Sequence, residues 1–111
     1  FGVPHGVANA VLLPFGMAFN IEADVEGFAA IAAAMGVETA ELDDPEAAAT
    51  AVDAVNALAA RIGAPRRMSE VGVEREAIPR MAEDAMPSAH IACNPRPINK
   101  DDLIELYAMA F

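Results

Sequence analysis

The run VANAVLLPFGMAF, residues 7–19, constrains the fold of this chain more than any other feature. On a helix, its apolar side chains cover most of the circumference rather than a single stripe. A helix of this kind has to be covered on several sides. Pro14 lies inside the run and is expected to kink or split the helix, and Asn20 is expected to end it. The run therefore predicts the central helix of a bundle.

Two further helices are predicted from apolar spacing and from residues that start and stop helices. The second is expected to span about 23–35 and to stop at Gly36, because glycine adopts the left-handed conformation that closes a helix. The third has the clearest ends, with Asp44 expected as its N-cap, Pro45 in its first position and Gly63 after its last turn. Each carries one apolar stripe, which is typical of a helix that buries a single face.

The segment after the third helix predicts an irregular link and then a short helix. Residues 64–73, APRRMSEVGV, contain proline, glycine and two arginines, with one helical turn expected near 68–71. A fourth helix is expected to begin at Glu74 or near Pro79 and to end at Met86, where the next proline stops it.

The last part of the chain predicts a loop and a terminal helix. Residues 88–99, SAHIACNPRPIN, are expected to form the loop. Asn99 is expected to cap the final helix, and Asp102 to complete a capping box. The apolar residues make up 55% of the chain and are mostly alanine, with five Phe, one Tyr and no Trp, which favours helix over sheet. The prediction is one all-α domain, residues 1–111, with about five helices.

Charge and hydropathy exclude several classes of partner. The net charge is −10, which disfavours nucleic acid and anionic membrane surfaces. The apolar run 7–19 is shorter than the roughly 18–20 residues of a membrane span, and no basic segment precedes it, as one would in a signal peptide. The single cysteine, Cys93, cannot form an internal disulfide and is expected to be a small, half-buried thiol. We therefore expect a soluble protein of the cytoplasm.

Residue spacing alone does not identify a reaction. The chain has two histidines, His5 and His90, and lacks H-x-x-x-H, C-x-x-C and glycine-rich phosphate-loop patterns. On spacing, His5 is either a metal ligand or a helix-start histidine bonded to backbone, and the second reading is the simpler one. No catalytic and no cofactor-binding residue is predicted from spacing.

Two segments, which occur in the same order as in a known family, resemble that family. PHGVANAVLLP, residues 4–14, and NPRPINKDDLIELYAMAF, residues 94–111, are similar to segments of the iron-containing (group III) alcohol dehydrogenases. Between them, AMG at 34–36, DPEA at 44–47 and RIGAPRRMSEVGV at 61–73 follow in the family's order. The N-P-R-P string also resembles the maleylacetate reductases, which share the fold.

The resemblance implies a fold and a chemistry. Family members combine an N-terminal NAD(P)-binding domain with a C-terminal helical domain, in the dehydroquinate synthase-like arrangement. The helical domain holds a divalent metal, Fe²⁺ or Zn²⁺, through one Asp and three His. The last of these histidines corresponds to His5 here. The implied reaction is hydride transfer between a small alcohol or aldehyde and the nicotinamide, in a protein expected to be a homo-oligomer.

The departures from the family pattern set further expectations. The other three ligands and the dinucleotide-binding domain lie upstream in the family, and the chain begins with Phe1, so we expect a fragment that is inactive alone and binds neither metal nor NAD(P) tightly. His90 stands where relatives often have a cysteine or another polar residue near the substrate cavity, and is a candidate pocket residue. An alternative is a non-enzymatic helical assembly module that associates through its apolar first helix. Either way, exposed apolar surface predicts self-association of the isolated chain.

Overall fold

The computed structural model describes all 111 residues and contains helices but no strand, which confirms the predicted all-α class. Six α-helices and three 3₁₀ segments follow one another along the chain. The helices are α1 (His5–Asn20), α2 (Val25–Ala34), α3 (Asp44–Arg61), α4 (Ile78–Ala85), α5 (Ala89–Ala92) and α6 (Lys100–Ala110), and the 3₁₀ segments are Ile21–Ala23, Met68–Val71 and Arg75–Ala77. The helix beyond the predicted five is α5, a single turn inside the segment predicted as a loop.

The first helix is continuous through its proline. Of the predicted kink or split at Pro14, the split is therefore wrong. α1 runs from His5 to Asn20 with Pro14 buried inside it. A proline removes one backbone hydrogen bond from a helix. α1 packs against both α3 and α6, and this packing maintains the helix across the missing bond. The predicted end at Asn20 is confirmed.

The capping predictions hold in part. Asn99 and Asp102 form the predicted capping box at the start of α6. The N-cap of α3 is Asp43 rather than Asp44, because the Asp43 carboxylate accepts the Glu46 N–H at 2.9 Å. Asp43 and Asp44 are consecutive and have the same side chain, and the sequence prediction selected the wrong one of the two. α2 begins at Val25, later than predicted, because Asp24 caps it by accepting the Gly27 N–H at 3.0 Å.

The core is divided into two clusters, and α1 contributes to both. Val11 belongs to the cluster between α1, α4, α6 and the link, and Met17 belongs to the cluster between α1, α2 and α3. The members are Val11, Met68, Val73, Ile78 and Ala110 in the first cluster, and Met17, Ala32 and Ala51 in the second. α1 is thus central, but it is not covered all round, since Leu13 remains 51% exposed.

The apolar helix is longer than the run from which it was predicted, so the prediction that it is too short to span a membrane is wrong. His5–Ala23 is a 19-residue helical stretch of mean hydropathy 1.2, long and apolar enough by those measures to cross a membrane. The apolar run 7–19 is only part of this helix, which is extended by its first turn and by the following 3₁₀ turn. Central helices of folded domains and signal sequences have the same length and hydropathy. These two measures alone therefore do not assign the helix to a membrane.

Two helices end in the same glycine-dependent geometry. Gly36 after α2 and Gly63 after α3 have φ of +90° and +70°. After α3, the Gly63 N–H donates to the Ala60 carbonyl at 3.3 Å and the Ala64 N–H donates to the Ala59 carbonyl at 3.0 Å. This is the Schellman arrangement, and it confirms the predicted role of both glycines.

Gly63→Ala is expected to destabilise the chain by about 1–2 kcal/mol, because a Cβ at positive φ is strained. Gly16→Ala is the matched control. Gly16 lies inside α1, and a Cβ there would meet no atom within 4 Å. We expect it to stabilise by roughly 0.5–1 kcal/mol through helix propensity. Denaturant unfolding of both variants checks this, and two changes of the same sign would contradict it.

Candidate functional site

The structure places His5 as the first residue of α1, with its side chain exposed. Pro4 precedes it with φ −56° and ψ 140°, and the Pro4 carbonyl accepts the Ala8 N–H at 3.0 Å to begin the helix. The proline ring restricts φ, so the chain enters the helix in one direction. The imidazole is therefore attached to a backbone of defined geometry at the N-terminal end of α1.

The imidazole of His5 contacts a side chain rather than the backbone. The Asn9 side-chain nitrogen lies 3.1 Å from His5 Nε2, one helical turn along α1. Both residues are exposed. The simpler reading from sequence, a histidine bonded to backbone, is not the contact observed.

His5 and Asn9 lie on the open face of α1, which we define by His5, Asn9 and Leu13 at successive helical turns. Asn9 and Leu13 also line a groove of about 540 Å³. Met17 lies farther along the groove, and Phe28 of α2 forms its other wall. No group of three or more His, Cys, Asp or Glu side chains in the structure is arranged to hold a metal ion. Within this chain, His5 is a single potential ligand beside a broad groove.

A second cavity lies at the other end of α1. It has a volume of about 190 Å³ and lies between α1, α5 with the segment after it, and α6. Its walls are mostly apolar, with two asparagines and one tyrosine; among the lining residues are Phe15, Phe19, Asn20, Ile91, Asn94, Leu106 and Tyr107. Burial raises the pKa of the Tyr107 hydroxyl above its ordinary value, so this group does not bring a charge into the cavity.

The polar end of this cavity is a side-chain clamp that sequence analysis missed. Asn20 and Asn94 exchange two hydrogen bonds, of 3.0 and 2.7 Å. Arg96 donates to the Phe19 carbonyl at 3.1 Å, and its guanidinium lies 4.0 Å from the centre of the Phe19 ring. Arg96 also pairs with Glu22 at 2.8 Å. These contacts give the N-P-R-P string a structural role, because they fasten the loop to the end of α1.

The structure does not join His90 to either cavity. His90 lies exposed on α5, where its backbone N–H donates to the Ser88 hydroxyl at 3.2 Å. Its neighbour Ile91 lines the smaller cavity, and His90 does not. The assignment of His90 to a substrate pocket stays a prediction. Cys93 is exposed at the C-cap of the one-turn helix α5, so the expected half-buried thiol is wrong.

A family model and individual relatives match this chain along its length. The family model described as "Fe-containing alcohol dehydrogenase family, C-terminal" matches residues 1–111. The chain is 40% identical over 111 residues to the 1,3-propanediol dehydrogenase of Citrobacter freundii and to the lactaldehyde reductase of Escherichia coli strain K12. In each case it is matched completely and covers 29% of the relative.

A solved structure gives the same result in three dimensions. The crystal structure of a 1,3-propanediol oxidoreductase superposes with a TM-score of 0.96 at 38% identity. The match covers 98% of this chain and 28% of that one. The resemblance drawn from the sequence is confirmed, and the chain belongs to the Fe-containing alcohol dehydrogenase family, where it matches the C-terminal part.

Proposed function

We propose that this chain is the C-terminal helical domain of an NAD(P)-dependent, divalent-metal-dependent alcohol dehydrogenase, and that His5 is one ligand of its metal, Fe²⁺ or Zn²⁺. The observation that carries the proposal is the exposed imidazole at the start of α1, inside the segment PHGVANAVLLP of a chain matched to this family throughout. The chain spans 29% of the length of each of these two relatives. The activity of the whole protein is therefore part of what we propose.

The donor chemistry of His5 fits such a metal. A neutral imidazole is a suitable ligand for ferrous iron and for zinc. Both ions take about four or more ligands, so the remaining ones, an Asp and two His, are proposed to lie in a preceding part of the polypeptide. When bound, the metal supplies Lewis acidity to the substrate oxygen, which favours hydride transfer to the nicotinamide.

The residues of this chain hold the imidazole in place for that role. Pro4 sets the entry into α1, and Val11, farther along the same helix, is 2% exposed in the core. Anchoring a ligand to a rigid helix limits the directions in which its nitrogen can point. The open face of α1 is proposed to lie against the preceding polypeptide, which supplies the other ligands and the NAD(P) domain.

The proposal extends to the substrate, to His90, and to the location and assembly of the whole protein. The substrate is proposed to be a small alcohol or aldehyde, His90 to lie on the substrate side of the loop, and the whole protein to be a cytoplasmic homo-oligomer. The alternative, a non-enzymatic assembly module, is favoured only by the 51% exposure of Leu13 on the open face of α1. The match to named dehydrogenases and reductases over the whole chain supports the enzyme instead.

Activity assays on two proteins test the proposal. The 111-residue chain, supplied with NADH, a small aldehyde and either Fe²⁺ or Zn²⁺, is expected to give no turnover, because it offers one metal ligand. A longer chain including the preceding polypeptide is expected to turn over and to lose that activity with a chelator. Turnover by the 111-residue chain, or chelator-resistant turnover by the longer one, would contradict the proposal.

A further inference from the structure

The proposed role of His5 does not account for the smaller cavity between α1, α5 with the segment after it, and α6. His5 starts α1, and Gly16, which lines the cavity, lies about 16 Å farther along the helix axis at roughly 1.5 Å per residue. None of the lining residues is charged. The cavity is therefore separate from the proposed metal ligand, and its chemistry suits an uncharged molecule.

The size and the walls of the cavity favour a small, mostly apolar molecule. Its volume is about 190 Å³, and eight of its eleven lining residues are hydrophobic. An apolar cavity of about 150 Å³ is large enough to hold benzene, so this one has room for about six to eight non-hydrogen atoms. A charged molecule is disfavoured, because an unpaired charge is costly to bury.

Gly16 leaves space beside the helix that nothing in this chain fills. A glycine in the interior of a helix is less stable than an alanine at the same position. A Cβ at Gly16, which lines both the cavity and the groove, would meet no atom within 4 Å. Packing within the chain therefore does not explain this glycine, whereas a molecule lying against the helix backbone would use the space.

The polar lining residues offer two unused hydrogen-bond donors. Asn94 donates both of its amide hydrogens, one to Asn20 and one to the Arg96 carbonyl, which can only accept and so fixes the orientation of the amide. Asn20 donates one amide hydrogen, to Asn94. Its second amide hydrogen and the Tyr107 hydroxyl, in the same lining, have no partner in the structure. A hydroxyl or carbonyl oxygen on the ligand can accept from them.

We propose that this cavity binds a small uncharged molecule with an apolar body of about six to eight non-hydrogen atoms and one hydroxyl or carbonyl group. The inference goes beyond the proposed function and does not depend on His5. Ile91, Asn94 and Ile98 form one wall, while α1 and α6 form the others. A bound molecule therefore joins residues 88–99 to both helices and adds to the clamp formed by Arg96.

Phenol is the probe for the first test. The carbon that bears its hydroxyl has no hydrogen, so phenol cannot supply a hydride and is not a substrate of the proposed reaction. Calorimetric titration of the full-length protein is expected to show saturable binding at one site. Ile91→Phe, which enlarges a side chain in the cavity wall, is expected to weaken that binding at least about tenfold. Ile62→Phe, at a position that is 69% exposed and lines no cavity, is the matched control and should leave it unchanged.

Two results of this titration would overturn the inference. One is the absence of saturable phenol binding, and the other is wild-type affinity in Ile91→Phe, which would place the phenol elsewhere. Gly16→Leu fills the cavity from α1 and replaces Ile91→Phe if that variant does not fold, as judged by circular dichroism. It is expected to weaken phenol binding too, and wild-type affinity in this variant would count equally against the inference.

Tyr107→Phe tests the polar part of the site. Toluene has the same number of non-hydrogen atoms as phenol and lacks the hydroxyl. Tyr107→Phe is expected to bind phenol about two- to tenfold more weakly, the range for one hydrogen bond, and to bind toluene like the wild type. Unchanged phenol affinity, or an equal loss for both molecules, would overturn the role of the Tyr107 hydroxyl.

Hydrogen exchange tests the effect on the loop. Since the ligand binds only the closed arrangement of residues 88–99, phenol is expected to slow amide exchange in that segment of the full-length protein. The same addition to Ile91→Phe should have little effect. Exchange in residues 88–99 that phenol leaves unchanged in the wild type would overturn the proposed link between the cavity and the loop.

Discussion

His5→Ala in the full-length protein is expected to lower metal affinity by at least about 100-fold and to reduce hydride transfer by a similar factor or more. Residues that merely hold a ligand in place cost about 10–100-fold when replaced, and a ligand itself should cost no less. The loss would remove Lewis acidity from the reaction, since the metal is no longer retained. Metal content after dialysis, together with turnover in an NADH-linked assay, measures both effects.

His90→Ala is the matched control for this result. It removes an exposed imidazole from the same domain, and the structure shows no side-chain hydrogen bond at His90 that the change would break. We expect it to retain metal like the wild type, with any change confined to KM for the substrate. Equal metal loss in both variants would indicate general destabilisation of the domain and would contradict the specific role of His5.

Ile78→Ala is expected to lower the free energy of unfolding by about 2–5 kcal/mol, the range for truncating a buried isoleucine. Ile78 is 3% exposed at the start of α4 and belongs to the cluster that also contains Val11 of α1 and Ala110 of α6. The truncation leaves a cavity among these three helices. Urea or thermal unfolding followed by circular dichroism measures the change.

Ile62→Ala deletes the same atoms from a different environment. Ile62 follows the last turn of α3 and is 69% exposed. Because little apolar area is lost from the core, the expected change is within about 0.5 kcal/mol. Comparable destabilisation by the two replacements would contradict the division of core and surface described above.

The helices were predictable because their signals are local. Glycine after α2 and α3 and the capping box at Asn99 each act within a few residues, so the sequence identified them correctly. The continuity of α1 was not predictable by the same reasoning. It depends on packing against α3 and α6, which the local effect of Pro14 does not reveal.

The proposed role of His5 in the candidate site was predictable only from the resemblance to a known family. Residue spacing gave His5 no distinction from an ordinary histidine at a helix start, and the family segment around it supplied its proposed role. The clamp was missed because its partners are far apart in the chain: Asn20 and Asn94 are 74 positions apart. The spacing of residues along the sequence does not reveal a contact between two residues so far apart in the chain. An asparagine at a helix end and another in a proline-rich loop could each have been assigned to local turns.

A metal position in the full-length protein tests the central claim most directly. A crystal of that protein grown with Zn²⁺ or Fe²⁺ and measured at the metal's absorption edge locates the ion by its anomalous scattering. The account predicts an ion about 2.0–2.1 Å from a ring nitrogen of His5, the usual distance between zinc and an imidazole nitrogen. An ion held in the protein by other residues, with the His5 ring outside coordination distance, would contradict it.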